Sequence, residues 1–293
     1  MRTFCWENQY FADIRPQMED NMEFYDPHSD PRPGFVKAPT ADGLILDSHG
    51  DRIFGRYLSP ALYSADERRP VVILCHGMPG QEQNIDLAQA LRRAGYFVIY
   101  FWYRGVWGSH GNYSFSHLYE DVHTVVDYVR SGKTGLPIDT GEIYLFGHSM
   151  GGFAALNALA TGLKVKKVFL LAPCNICYRQ LFEKDKLAGL TQTKDSGYYK
   201  LERYTILEDE LSEHENDWYF PNLVDRLPRD IPYTILCGMQ DTVCPAETHV
   251  MPMLEKMQAL GFDVKYLEHD DGHSFHANRL WLASTVLKAF QER

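Results

Sequence analysis

The sequence predicts an α/β protein with a mostly parallel central sheet, helices on both faces and an inserted cap. Three observations lead there. Strand-length apolar runs alternate with segments of helical periodicity, and such alternation builds a parallel sheet covered on both sides. The runs are continuous rather than alternating, as strands buried on both faces require. The rhythm stops over residues 177–230, which are rich in charge and aromatics and hold no strand-like run, and then resumes.

The elements can be justified in order. Residues 1–40 are polar and turn-rich, with Asp26-Pro27, Asp30-Pro31 and Arg32-Pro33-Gly34 close together, and read as an N-terminal extension. Leu44–Asp47 and Ile53–Leu58 flank Ser48-His49-Gly50-Asp51, a hairpin pattern. Strand Val71–Cys75, helix Ile85–Ala94 and strand Tyr96–Tyr103 follow. Helix Tyr119–Val129 carries Val122, Val125, Val126 and Val129 on one face. Strand Ile143–Phe146, helix Met150–Leu163 and strand Val168–Ala172 come next. After the break, strand Tyr233–Cys237, helix Glu247–Leu260, strand Val264–Leu267 and a helix over Leu280–Phe290 complete the alternation. The expected division is therefore a core of 41–176 and 231–293, with 177–230 as a cap or lid.

At 293 residues the chain suits one large α/β domain with an insertion. Its net charge of −10 repels nucleic acid and anionic membrane surfaces, and no Lys/Arg cluster offers a local exception. Glu7, Asn8 and Gln9 interrupt any signal-like apolar stretch. The strongest apolar runs fall far short of the roughly 20 residues that span a bilayer. The expectation is a cytoplasmic protein with a small-molecule partner, no nucleic acid and no membrane; assembly into a homo-oligomer is left open. Of six cysteines, Cys75 and Cys237 lie in strand-like runs. Cys174-Asn175-Ile176-Cys177 is a lone CxxC with no second CxxC or His pair beside it, so no metal site is expected.

Gly147-His148-Ser149-Met150-Gly151 follows a strand directly and opens a helix. A sharp strand-to-helix turn lifts the central side chain above the sheet, and the crowding explains the flanking glycines. Serine needs a base to act as a nucleophile at neutral pH. His273 lies just past the last strand, on the edge where parallel strands end together. His269 is its nearest rival; His76 and His148 read as structural. A base needs an acid to fix its tautomer. Asp241 follows strand Tyr233–Cys237 on the same edge, with Asp270 and Asp271 as fallbacks. The backbone N–H groups of Met78 and Met150 would face a developing oxyanion; Pro79 has no N–H to offer.

These motifs together resemble the α/β-hydrolase superfamily over roughly residues 41–293. His76-Gly77-Met78-Pro79-Gly80 resembles its HGxxG oxyanion loop, and residues 147–151 its nucleophile elbow. Tyr103-Arg104-Gly105 through Gly108-Ser109 resembles its arginine–glycine turn, and Glu120–Val129 its next helix. The nearest branches are the bacterial feruloyl and cinnamoyl-type carboxylesterases and the prolyl-oligopeptidase-like serine hydrolases. The resemblance implies an α/β-hydrolase fold, the chain order Ser, Asp, His for the catalytic residues Ser149, Asp241 and His273, and no cofactor. It implies an ester substrate, with a peptidase or amidase as the alternative and a non-catalytic binding module as the third. Trp102, Trp107, Trp218 and Tyr219 are the candidate walls of a substrate pocket. The chain departs from the common pattern at Phe101-Trp102-Tyr103, where many relatives carry an acidic or polar residue.

Overall fold

The computed structural model describes residues 40–60, 63, 66–81, 83–177 and 194–292. The predicted extension, apart from residue 40, and residues 178–193 of the predicted cap lie outside this set.

Strands β1 (Ala41–Ser48) and β2 (Asp51–Leu58) form a hairpin. Its two turn residues, His49 and Gly50, both have positive φ, at 53° and 89°. That geometry matches the right-handed twist of the flanking strands. Next come β3 (Arg69–Cys75), α1 (Ile85–Arg93), β4 (Phe97–Phe101) and α2 (Phe115–Arg130). Helix α2 begins four residues earlier than its apolar stripe predicts, because the Ser114 side chain accepts a hydrogen bond from the His117 N–H and caps it. Then β5 (Ile138–His148) leads into α3 (Met150–Ala160), followed by β6 (Lys167–Leu171).

Beyond residue 193 the chain holds α4 (Ile206–Glu213), the short α5 (Phe220–Leu223) and a 3-10 turn at Val224–Arg226. Strand β7 (Tyr233–Gly238) re-enters the sheet. The helix predicted over 247–260 is split into α6 (Ala246–His249) and α7 (Met251–Ala259). Pro252 in the first turn of α7 cannot donate a backbone hydrogen bond to the preceding turn, so the pattern breaks there. Strand β8 (Val264–His269) and α8 (Arg279–Gln291) end the fold.

The sheet order is β1-β2-β4-β3-β5-β6-β7-β8. The six strands from β4 to β8 in that order pair in parallel, and the hairpin is added antiparallel to β4. One apolar cluster, with Phe153, Val125 and Trp218, lies under one face. A second, with Leu91, Phe169 and Phe290, lies under the other. Every residue of β3, β4, β6 and β7 is buried, which accounts for their unbroken apolar runs. No helix among the described residues is long and apolar enough to cross a membrane.

Parallel pairing brings one set of strand ends to a common edge. The loops after β3, β5, β6, β7 and β8 carry Gly77, Ser149, Cys174, Asp241 and His273 in spatial sequence.

Candidate active site

Ser149 joins β5 to α3 with φ 55° and ψ −120°, a conformation most side chains avoid. Its neighbours show why only glycine fits. A Cβ on Gly151 would stand 2.0 Å from the Cys75 carbonyl oxygen, and one on Gly147 would stand 2.6 Å from that of Gly151. The bend is pinned by backbone bonds. Ser149 N–H donates to Leu171 O at 2.9 Å, while Ser149 O accepts from Gly152 N–H at 2.9 Å and Cys174 N–H at 3.0 Å.

The loop after β3 passes directly over this serine. A Cβ built on Gly77 would lie 3.0 Å from Ser149 Cβ and 3.5 Å from its Oγ. Met78 follows Gly77 along that pass. Met150 is the first residue of α3, where a helix leaves its N–H without an internal acceptor. His76 Nδ1 bonds the Gly77 carbonyl at 2.7 Å and shapes the loop from within. Burial pushes the His76 ring down to about 4, so it is neutral.

Asp241 and His273 meet across the far side of the edge. His273 Nδ1 donates to Asp241 Oδ2 at 2.7 Å. Asp241 Oδ1 accepts from the N–H groups of Val243 and Cys244, each at 2.8 Å. Burial raises the Asp241 carboxyl, but the bonds from His273 and the two amides outweigh it and hold it below the usual carboxylate value. With Nδ1 engaged by a buried carboxylate, Nε2 is the nitrogen that can take a proton. The His273 ring sits beside that of His148, centroids 5.2 Å apart, and its carbonyl bonds His148 Nε2 at 3.1 Å. The base-acid pair is thereby tied to the residue preceding Ser149. Burial pushes His148 down to about 3, and the nearby His273 adds to the effect.

The competing residues are occupied elsewhere. His269 stacks on Trp281 with centroids 3.7 Å apart. Asp270 accepts from Gln240, and Asp271 from Asn278 and Gly272 N–H.

The four aromatics divide. Trp107 is 42% exposed, donates to Pro79 O at 2.8 Å and stacks on Tyr198 at 4.9 Å. It therefore stands against the loop that covers Ser149. Trp102 is half-buried against Tyr100, and Tyr219 is half-buried at the start of α5. Trp218 is a correction. It is 3% exposed and enclosed by Phe115, Tyr119, Phe153 and His214. It seats the segment after residue 193 on α2 and α3 rather than facing a substrate. Glu210 of α4 strengthens that seat by accepting from the Phe115 N–H at 2.7 Å, at the N-terminus of α2.

Sequence reasoning missed two groups. Tyr198 carries no motif. His249 and Cys244 stand beside Cys174, within 4.8 Å among their ligand atoms, yet 70 or more residues separate them from it in the chain. No spacing rule links them.

The chain has the α/β-hydrolase fold. A family model described as "Serine aminopeptidase, S33" matches residues 66–192. An uncharacterized protein of Mycobacterium tuberculosis (strain CDC 1551 / Oshkosh) is 28% identical over 167 residues, 56% of this chain and 52% of that protein. The chain thus spans about half the length of the curated relatives it matches. Among solved structures, Pyrococcus horikoshii acylaminoacyl peptidase superposes with a TM-score of 0.65 at 15% identity, over 87% of this chain and 42% of that one. Est1E from Butyrivibrio proteoclasticus superposes with a TM-score of 0.58 at 18% identity, over 84% of this chain and 96% of that one.

Proposed function

We propose that this protein is a serine hydrolase that cleaves carboxylic esters through an acyl-enzyme on Ser149. The observation that carries the reading is a strained serine at the end of β5 on the same sheet edge as the hydrogen-bonded Asp241–His273 pair, with the His273 ring beside His148, the residue before that serine. In this scheme Ser149 Oγ attacks the ester carbonyl while His273 Nε2 takes its proton. Asp241 holds the ring in the tautomer that leaves Nε2 able to accept and stabilises the imidazolium that forms. The N–H groups of Met78 and Met150 bind the oxyanion; one such donor contributes about 10²–10³ in rate. His273 then protonates the leaving alkoxide, and water activated by the same ring releases the acid.

The ester preference is supported by the Trp107–Tyr198 stack beside the covering loop, a flat apolar surface suited to an acyl or aryl group. The likeness to Est1E also extends along nearly all of that chain. The family match over residues 66–192 favours a second reading, cleavage of amides with the same machinery.

Hydrolysis of p-nitrophenyl esters from acetate to decanoate, run beside p-nitroanilides with wild type and Ser149→Ala, separates the two. Ester turnover absent from the variant is expected. Turnover of anilides alone would transfer the assignment to the amide reading. No labelling of Ser149 by a fluorophosphonate would overturn both.

A further inference from the structure

The loop after β6 and the loop leading to α6 bring together three side chains that the hydrolytic scheme does not use. The sulfurs of Cys174 and Cys244 and a ring nitrogen of His249 lie within 4.8 Å of one another. Cys244 and His249 are buried, and Cys174 is half-buried. Both cysteines are also wired to the candidate active site. Cys174 N–H donates to Ser149 O, and Cys244 N–H donates to Asp241 Oδ1. Cys177, the other half of the CxxC, points away and has the His214 carbonyl as its partner.

The cluster could hold a metal, pack inertly or react through sulfur. Asn175 N–H decides the role of His249. It donates to His249 Nδ1 at 3.0 Å, so Nδ1 carries no proton and the hydrogen of the neutral ring is on Nε2. An imidazole that ligates a metal through one nitrogen ordinarily donates through the other. Here the second nitrogen accepts, which disfavours a metal. The Nε2–H instead suits a sulfur anion. A hydrogen bond from Cys244, and another from His249, outweigh burial and lower the Cys174 thiol. The reciprocal bond, together with burial, pushes Cys244 up. The hydrogen bonds thus favour the thiolate at the half-buried Cys174 over the buried Cys244, the asymmetry that distinguishes oxidisable cysteine pairs from inert ones.

We propose that Cys174 and Cys244 form a peroxide-sensitive modification site, Cys174 being the sulfur oxidised and Cys244 the sulfur that resolves it. The co-reactant is a hydroperoxide, hydrogen peroxide in the simplest case. The Cys174 thiolate attacks one peroxide oxygen. An S–O bond forms, the O–O bond breaks, and the departing hydroxide takes up a proton to give water. Sulfur is oxidised to the sulfenic acid and peroxide is reduced. The Cys244 sulfur then attacks the Cys174 sulfur. The S–O bond breaks, hydroxide leaves with the Cys244 proton as water, and the disulfide forms. The sum is two thiols and one peroxide giving one disulfide and two waters. Closing the sulfurs to about 2.05 Å displaces the two amides that hold Ser149 and Asp241, so the oxidised protein hydrolyses more slowly. That last consequence rests on the hydrolase reading; the thiol chemistry does not.

The titratable groups facing the Cys174 sulfur are Cys244, His249 and His273, while Asp241 and Cys237 face Cys244. The full-length reduced protein is alkylated with iodoacetamide between pH 6 and pH 8, and Cys174 is quantified by peptide mass. Its rate is expected to change less than threefold. An ordinary thiol of pKa 8.5 gains about 75-fold in thiolate over that range, and such a climb at Cys174 would overturn the proposal. No variant is needed for that measurement. Equimolar hydrogen peroxide is then expected to join the Cys174 and Cys244 peptides, reversibly with dithiothreitol. In Cys244→Ser, dimedone is expected to capture Cys174 instead. A Cys174–Cys177 link, oxidation confined to other cysteines, or tight stoichiometric zinc binding that blocks alkylation would each overturn it. Ester hydrolysis is expected to fall at least tenfold on oxidation and to return on reduction. A protein that forms the disulfide but hydrolyses nothing in either state would remove the hydrolase reading and leave the thiol pair standing.

Discussion

The Ser149 turn and the Asp241–His273 pair share one sheet edge but are held there by different means. The turn is built from five consecutive residues, and hard-sphere crowding at Gly147 and Gly151 sets its shape. The pair is assembled from two loops 32 residues apart. What aligns them is register: β7 and β8 run in parallel with Gly238 opposite His269. The acid lies three residues past the one and the base four past the other. A local steric device tolerates little variation in sequence. A device set by register tolerates change along its loops, provided the two strands stay paired.

Four experiments can break or sharpen that contrast. The largest effect is expected from Ser149→Ala, which removes the nucleophile and should lower kcat by about 10⁶ with an unchanged circular dichroism spectrum. Residual turnover within a hundredfold of wild type would place the nucleophile elsewhere. Asp241→Asn keeps the shape of the pair but offers His273 the wrong tautomeric partner, and should cost about 10⁴ in kcat. A loss below tenfold would mean that Asp270 or Asp271 can substitute.

Acid stability comes next. His76 and His148 are neutral when folded because burial lowers both, to about 4 and about 3. The unfolded chain takes up protons near 6.5 that the folded chain refuses. Stability is therefore whole above 6.5 and is lost as the pH falls toward the folded values. Each ring costs about 1.4 kcal/mol per pH unit at most, so the two together cost about 2–3 kcal/mol between pH 6 and pH 5. Urea denaturation across that interval measures the slope, and His148→Asn should roughly halve it. An unaltered slope would show that His148 is already protonated in the native state.

The smallest expected effect is that of Gly151→Ala. One methyl group against the Cys75 carbonyl should destabilise the fold by about 1–3 kcal/mol, read from the denaturant midpoint. A neutral result would show that the turn relaxes, and would erase the contrast with the register-set pair.

The sequence was sufficient for whatever follows from short-range rules. Continuous apolar runs named β3, β4, β6 and β7, since burial on both faces leaves few polar positions to confuse the period; β8, half-exposed with Lys265 and Glu268, follows no such rule. Glycine spacing around Ser149 identified the turn, because sterics act between near neighbours. The order of loops along the parallel edge also made Asp241 and His273 the residues to examine. Boundaries were less legible where a side chain or an imino acid overrides the pattern, as at Ser114 before α2 and Pro252 within α7.

Only the tertiary structure decided what meets across the edge. Trp107 and Trp218 carry the same side chain, yet one stands exposed on Tyr198 and the other is enclosed against α2 and α3. The sequence pairs Cys174 with Cys177, three positions away; the fold pairs it with Cys244, seventy positions away, because β6 and β7 lie side by side in the sheet. Periodicity and spacing report interactions within one element. Contacts between loops depend on strand order and register, which are fixed by the whole buried core at once.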